Sequence, residues 1–367
     1  MWAQAYLQKC SSCGVEPREE VLQVESSRII LPGNTLELFH RRLTDEDLHA
    51  ILQAAVLSLP LSELVVPYNN ITSVGCKYLE EALRHDLDTM MVIDLSYNSI
   101  EGDGIKELTN ALATNRGVVQ LKLAGNPLGS SCGDAFASIL KQNHCLSVLD
   151  LHSTDLDLKA LMPICHSLSQ NTGLSTLRLG RPLISNPDDV NYAVHYIGLG
   201  LRENVTLQEL DLSYFEMYDR HLDSLLPSLF LCGIIRLSLK GNKFSRAAGL
   251  LLAELLDSRE NFDTLDISSN RLGDMGATAL ARAVGCHPSL HTLFLGHNEI
   301  GETGLEALTE GIKDCTSLQR LKLWGNALDT PIAAHAMFCI HERLDLLEYT
   351  DFKLYFLDGK PAVYMTP

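Results

Sequence analysis

MMVIDLSYNSIEGDGIKELTNALATNRG, residues 90–117, decides the architecture. Apolar residues stand at Met90, Ile93, Leu95 and Ile100, with Asn98 before the last. Ile93 and Leu95 alternate with Val92, Asp94 and Ser96, as a strand with one buried face requires. Asn98 falls where such a strand turns away. There its amide can pair with backbone groups that burial would otherwise strand. Leu108 and Leu112 are four apart and share one helix face. A single strand and a single helix cannot bury these faces alone, so further copies must stack on them.

The spacing L-x-x-L-x-L-x-x-N-x-L recurs along most of the chain, which makes it a leucine-rich repeat. A degenerate first unit is read around Leu36, Leu38 and Leu43. Clear units start at Leu61, Met90, Val118, Leu146, Leu174, Leu207, Ile234, Phe262, Leu290 and Leu318. The asparagine slot holds Asn69, Asn98, Asn126, Asn242, Asn270, Asn298 and Asn326. In the middle it holds Thr154, Pro182 and Phe215 instead. Starts 61 to 174, and again 234 to 318, are 28 or 29 residues apart. That period leaves room for a full helix in every unit. The expectation is an α/β leucine-rich-repeat solenoid of about eleven units of 28–29 residues, horseshoe-shaped. Its curved parallel sheet would line the concave side and its helices the convex side.

A second column supports the register. Gly75, Gly104, Cys132, Ala248, Gly276 and Gly304 each lie fourteen residues after a unit start, where a helix begins close to a neighbouring backbone. The interval from Leu174 to Leu207 carries five residues above 28. Its surplus is placed in a loop over 181–189, because that stretch is rich in proline and aspartate. Residues 1–32 are read as an N-terminal cap, 33–343 as repeats, and 344–367 as a C-terminal cap and tail. Asp358-Gly359 between two β-prone runs signals a hairpin there.

The net charge of −17 disfavours a general nucleic-acid or anionic-membrane surface. With 46% hydrophobic residues, the chain has ample material for a core. No run of about 18 apolar residues is present to span a bilayer. Met1–Pro17 lacks a basic start followed by an apolar run, so no signal peptide is expected. Ten scattered cysteines read as reduced core thiols of a cytoplasmic protein, with the nucleus not excluded. Cys10-x-x-Cys13 has no second pair at metal-ligand spacing, so no zinc site is expected.

The long unit with its outer helix resembles the ribonuclease-inhibitor-like class of leucine-rich repeats, over roughly residues 33–345. The resemblance implies an intracellular binding module. Members include nuclease inhibitors, activators of Ran-type GTPases, innate sensors, and scaffolds that are fixed parts of cilia and flagella. Ribonuclease inhibitor has cysteine in many slots where this chain has Asn98, Asn126 and Asn270, which weighs against the inhibitor reading.

Candidate chemistry is sparse. Gly129-Ser130-Ser131-Cys132-Gly133 matches G-x-S-x-G, but Gly129 shares a repeat column with Gly273 and Gly301. No Asp and His can be placed against Ser131. His287, His291 and His297 do not share one rigid element, so metal binding is not expected. Asp94, Asp150, Asp211 and Asp266 all follow the second strand leucine, an outward row that either holds a cation or is solvated filler. No phosphate loop or dinucleotide fingerprint is present. The expectation is a non-enzymatic protein-binding scaffold without cofactor, catalytic or metal residues, held in a stable assembly such as an axonemal complex. A Ran-type GTPase-activating module and a ribonuclease inhibitor are the alternatives. On the open strand face, Glu37, Glu63 and Asp94 make the early units acidic, with Tyr68 beside Tyr97. Arg236, Lys240, Phe294, His297, Arg320, Lys322 and Trp324 make the late units basic and aromatic. These seven are the candidate partner site, since aromatic and arginine side chains are enriched at binding hot spots.

Overall fold

The computed structural model describes residues 1–23, 28–31, 42–58, 60–85, 89–184, 186–313, 315–328, 330–343, 349–358 and 360–365. Contacts divide the chain into two compact units. The first comprises Met1–Ser185 with Leu199–Leu207, and the second Asn186–Gly198 with Gln208–Pro367.

In the first unit the strands are β1 (Arg28–Ile30), β2 (Glu63–Val65), β3 (Val92–Asp94), β4 (Gln120–Lys122), β5 (Val148–Asp150) and β6 (Thr176–Arg178). Each pairs in parallel with the next. The helices of this part are α1 (Trp2–Cys13), α2 (Glu19–Leu22), α3 (Asp45–Ser58), α4 (Ser73–His85), α5 (Gly102–Thr114), α6 (Gly133–Gln142) and α7 (Leu158–Leu168). Helix α8 (Pro187–Glu203) follows. The second unit holds β7 (Glu209–Asp211), β8 (Arg236–Ser238), β9 (Thr264–Asp266), β10 (Thr292–Phe294), β11 (Arg320–Lys322) and β12 (Tyr349–Thr350). These also pair in parallel in chain order. Helices α9 (Asp219–Leu229), α10 (Arg246–Ser258), α11 (Gly273–Cys286), α12 (Glu302–Ile312) and α13 (Pro331–Arg343) alternate with them. The hairpin anticipated at Asp358 is present, as β13 (Phe352–Leu357) antiparallel to β14 (Lys360–Met365).

Every strand is only two or three residues long through β12, because one buried leucine per strand suffices once neighbours stack. Leu64, Ile93, Leu121, Leu149 and Leu177 are all fully buried, each at the centre of its strand. At the helix starts the small-residue column has a steric basis. A Cβ on Gly304 would sit 2.7 Å from Asp274 Oδ1, whose carboxylate accepts the Gly301 and Gly304 N–H groups.

The asparagine ladder explains the short strands' order. Asn98 donates to Val66 O and Leu95 O and accepts from Ile71 N–H, so one buried amide joins two repeats. Asn126, Asn242, Asn270 and Asn326 do the same. The row breaks where the sequence departs from asparagine. Thr154 reaches its own Leu151 O at 2.7 Å, and the Phe215 side chain is fully buried. A second ladder was not read from the sequence. Asn115, Asn143, Asn171 and Asn204, three residues before unit starts, each cap the turn into the next strand. The last three also donate back to the preceding turns.

Two placements differ from the sequence reading. The first strand is Arg28–Ile30, inside the segment assigned to the N-terminal cap, with Ile29 paired to Leu64. Ile29 and Leu31 supply the apolar alternation there, but at 35 residues from their counterparts the period hid them. Leu36 and Leu38 lie outside the described residues, and Leu43 is buried. The second difference is the 181–189 surplus. Pro187 opens a helix rather than lying in a loop, since proline's fixed φ suits the first helical position. Asn186 Oδ1 accepts the Asp188 N–H, and Asp188 and Asp189 favour the helix N-terminus. The extra residues thus lengthen α8 to 17 residues, against 10–14 in α4–α6 and α9–α13.

Candidate functional site

The seven candidate residues all lie in the second unit, and strand register fixes their neighbours. Arg236 and Arg320 occupy one row across β8 to β11, with Thr264 and Thr292 between them. Ser238, Asp266, Phe294 and Lys322 form the next row. Lys240 and Trp324 fall two residues beyond Ser238 and Lys322 on their own chains, and His297 lies in the turn after β10.

The structure places Phe294, His297, Lys322 and Trp324 together on β10, β11 and the turns after them, with Arg320 at their edge, and engages Arg236 elsewhere. Lys322 Nζ lies 4.5 Å from the Phe294 ring centroid, so a cation covers the aromatic face. Trp324 is half-buried on the same strand, and its N–H is held by the Asp351 carboxylate at 3.2 and 3.3 Å. His297 is exposed and donates its backbone N–H to Trp324 O at 2.8 Å. Its ring lies over Gly325, where a Cβ would come within 2.2 Å of Nδ1. Arg320 is exposed at the edge of this group. Arg236, by contrast, is bound to Glu209 Oε2 at 3.2 Å across the β7–β8 step, which ties up its guanidinium. With Asp266 directly beside Phe294, the basic surface does not run unbroken from β8 to β11.

The backbone that presents this edge has one recurrent feature that the sequence reading missed. The residue before each asparagine slot is left-handed. In the first unit these are Tyr68, Tyr97, Gly125, Ser153 and Arg181, and in the second Tyr214, Gly241, Ser269, His297 and Gly325, with φ between 53° and 80°. Tyr68 and Tyr97 stack at 4.4 Å and 2°, and Tyr97 in turn covers Gly125. Gly241 lies under Tyr214 in the same way. No residue type marks this column, which is why spacing alone did not reveal it.

The aspartate row has a backbone role. Asp94, Asp150, Asp211 and Asp266 each accept the N–H two residues on, at 2.8–3.0 Å. Asp94 also faces Lys122, and Asp150 faces Arg178. The three clustered histidines take separate partners: His287 reaches Arg259 O, His291 reaches Asp263 Oδ1, and His297 lies over Gly325. Gly129 to Gly133 forms a tight turn in which Cys132 Sγ donates to Gly129 O. Among the described residues no helix is long and apolar enough to cross a membrane.

Comparison with known proteins agrees with the repeat structure. A family model described as Leucine Rich repeat matches residues 261–281 and 286–308. The chain is 29% identical over 258 residues to mouse NACHT, LRR and PYD domains-containing protein 12, covering 61% of this chain and 24% of that protein. It is 26% identical over 305 residues to bovine Tonsoku-like protein, covering 72% and 22%. It therefore spans less than a quarter of the length of these relatives. Among solved structures, an internalin from Listeria monocytogenes aligns over 96% of this chain and 94% of its own, with 14% identity and a TM-score of 0.43.

Proposed function

We propose that this leucine-rich-repeat protein is a non-enzymatic scaffold that binds an acidic protein segment on the open face of β10 and β11. The observation that carries the reading is the Lys322–Phe294 pair at 4.5 Å, flanked by Trp324, His297 and Arg320. Neighbouring strands are about 4.8 Å apart, so these side chains cover one continuous patch. An acidic segment with one or two apolar anchors is its complement: anchors meet the rings, and carboxylates meet Lys322 and Arg320. Leucine-rich-repeat proteins act in protein–protein interaction, and the chain carries that repeat throughout both units. Arg236 and Lys240 lie outside the central patch, with Arg236 held by Glu209.

Membership of a stable intracellular assembly is the finer part of the proposal, with ciliary and flagellar complexes among the candidates. Affinity purification of the full chain from native tissue, followed by mass spectrometry, supplies the partner. Trp324→Ala is then expected to weaken binding by about 2 kcal/mol or more, the scale of a hot-spot truncation. Lys322→Glu should chiefly slow association and change its salt dependence. Wild-type binding by folded Trp324→Ala and Phe294→Ala proteins would overturn the assignment.

A further inference from the structure

Away from the strand face, α1 and α3 bring a thiol, an imidazole and an amide into line. Cys13 Sγ lies 3.8 Å from His49 Nδ1. The other ring nitrogen, Nε2, is 2.6 Å from the Gln53 side-chain amide. The amide nitrogen is the nearer atom as placed, but 2.6 Å is short for N–H···N, so the amide is assigned the other way round, with its oxygen towards the ring, Nε2–H donating and Nδ1 keeping a lone pair for the thiol. The imidazole is further fixed by stacking on Tyr78, with centroids 3.9 Å apart and planes within 4°. A nucleophile, a base and a group that orients the base are the elements of an activated side chain.

The surroundings bear on where the proton goes. Cys13 is the last residue of α1, and its thiol faces His49, which is the acceptor within reach for its proton. Burial, with Lys9 adding to it and Glu81 opposing it, holds His49 below the ordinary histidine value. The ring is neutral at pH 7 and free to accept. His49, Gln53 and Tyr78 also line a cavity of about 200 Å³, with Leu52, Val56 and Lys9 among its walls. Cys13 itself is half-buried. The buried thiols Cys76, Cys132 and Cys165 differ: desolvation pushes each up to about 12.

We infer that Cys13 is a reactive thiol that exchanges with small-molecule disulfides, His49 acting as its base and Gln53 as the positioning residue. In the step, Cys13 sulfur attacks one sulfur of the small disulfide as its proton passes to His49 Nδ1. The S–S bond breaks, and the departing thiolate takes the proton back from His49. The products are one mixed disulfide at Cys13 and one free thiol. Glutathione disulfide is the probe of choice, and the cavity beside His49 is where its chain would lie.

The test uses the full, reduced chain with glutathione disulfide at pH 7.5, with modification at each cysteine followed by peptide mass spectrometry. Cys286 is exposed and serves as the measure of accessibility alone. Cys13 is expected to react about a hundredfold faster or more, the low end of general-base assistance. His49→Phe preserves the stack on Tyr78 but not the base, and should lower the Cys13 rate to that of Cys286. Gln53→Met should lower it partway. Equal rates at Cys13 and Cys286 in the wild-type chain would overturn the inference without recourse to any variant. So would a Cys13 rate unchanged in folded His49→Phe.

Discussion

Replacing Asn270 with leucine tests how the asparagine ladder holds. The Asn270 amide is 5% exposed, donates to Leu239 O at 3.2 Å and Ile267 O at 2.9 Å, and accepts from Phe244 N–H at 3.1 Å. The two carbonyls are not left bare by the change. Asn242 also donates to Leu239 O, and Asn298 also donates to Ile267 O, at 3.0 Å. The main loss is the Phe244 N–H, and stranding one buried donor costs about 1–3 kcal/mol. The double change Asn270→Leu with Asn298→Leu removes both amide donors from Ile267 O at once. It should therefore cost about 0.5–3 kcal/mol beyond the sum of the single changes, the range found for residues sharing a partner. Urea unfolding followed by circular dichroism gives the shifts, compared at constant slope. Exchange of the Phe244 amide with deuterium reports the stranded donor directly. Additivity within about 0.5 kcal/mol would refute the shared carbonyl as the link between repeats.

His221 predicts a pH dependence. It is 2% exposed, accepts from the Tyr218 N–H at Nδ1 and faces Asn191 Oδ1 with Nε2, while burial, helped by Arg220, pulls it down to about 4. A depressed histidine is neutral when folded and charges more readily when unfolded. Its contribution is full above pH 6.5 and is lost as pH falls towards 4, by about 3 kcal/mol from linkage. His221→Asn should flatten the melting temperature between those values, and an unchanged slope would count against the assignment. Gly241→Ala should destabilise by about 1 kcal/mol or more, because φ is 67° and a Cβ would meet the Tyr214 ring at 2.3 Å. A thermal melt equal to wild type would show that Tyr214 moves aside freely.

Periodicity made the strands, the helices and the main asparagine row legible, because each repeats a residue type at a fixed interval. The row's breaks at Thr154, Pro182 and Phe215 were legible for the same reason. β1 was hidden because Ile29 and Leu31 stand outside the period. The left-handed column was hidden because tyrosine, serine, arginine, histidine and glycine all occupy it. Asn115, Asn143, Asn171 and Asn204 were in plain sight, but a turn-capping role depends on the carbonyls of a neighbouring repeat. At the candidate site, the row positions of Phe294 and Lys322 followed from spacing. That Arg236 is taken up by Glu209 depends on side-chain reach, as does the line from Cys13 through His49 to Gln53.

The ladder also bears on how such a chain lengthens over evolutionary time. Each amide of the row speaks only to its own repeat and the one before it. A tandem duplication or loss of one whole period returns the same carbonyls and N–H groups to the next asparagine, so the genetic event is nearly silent to the backbone. A partial-period insertion has no such cover. The five residues above 28 ahead of Leu207 survive in α8, which took up added length by extra helical turn, beside the slots held by Pro182 and Phe215. Gains and losses in a lineage of such chains should accordingly fall in whole periods, and the exceptions should gather on helices next to a missing asparagine.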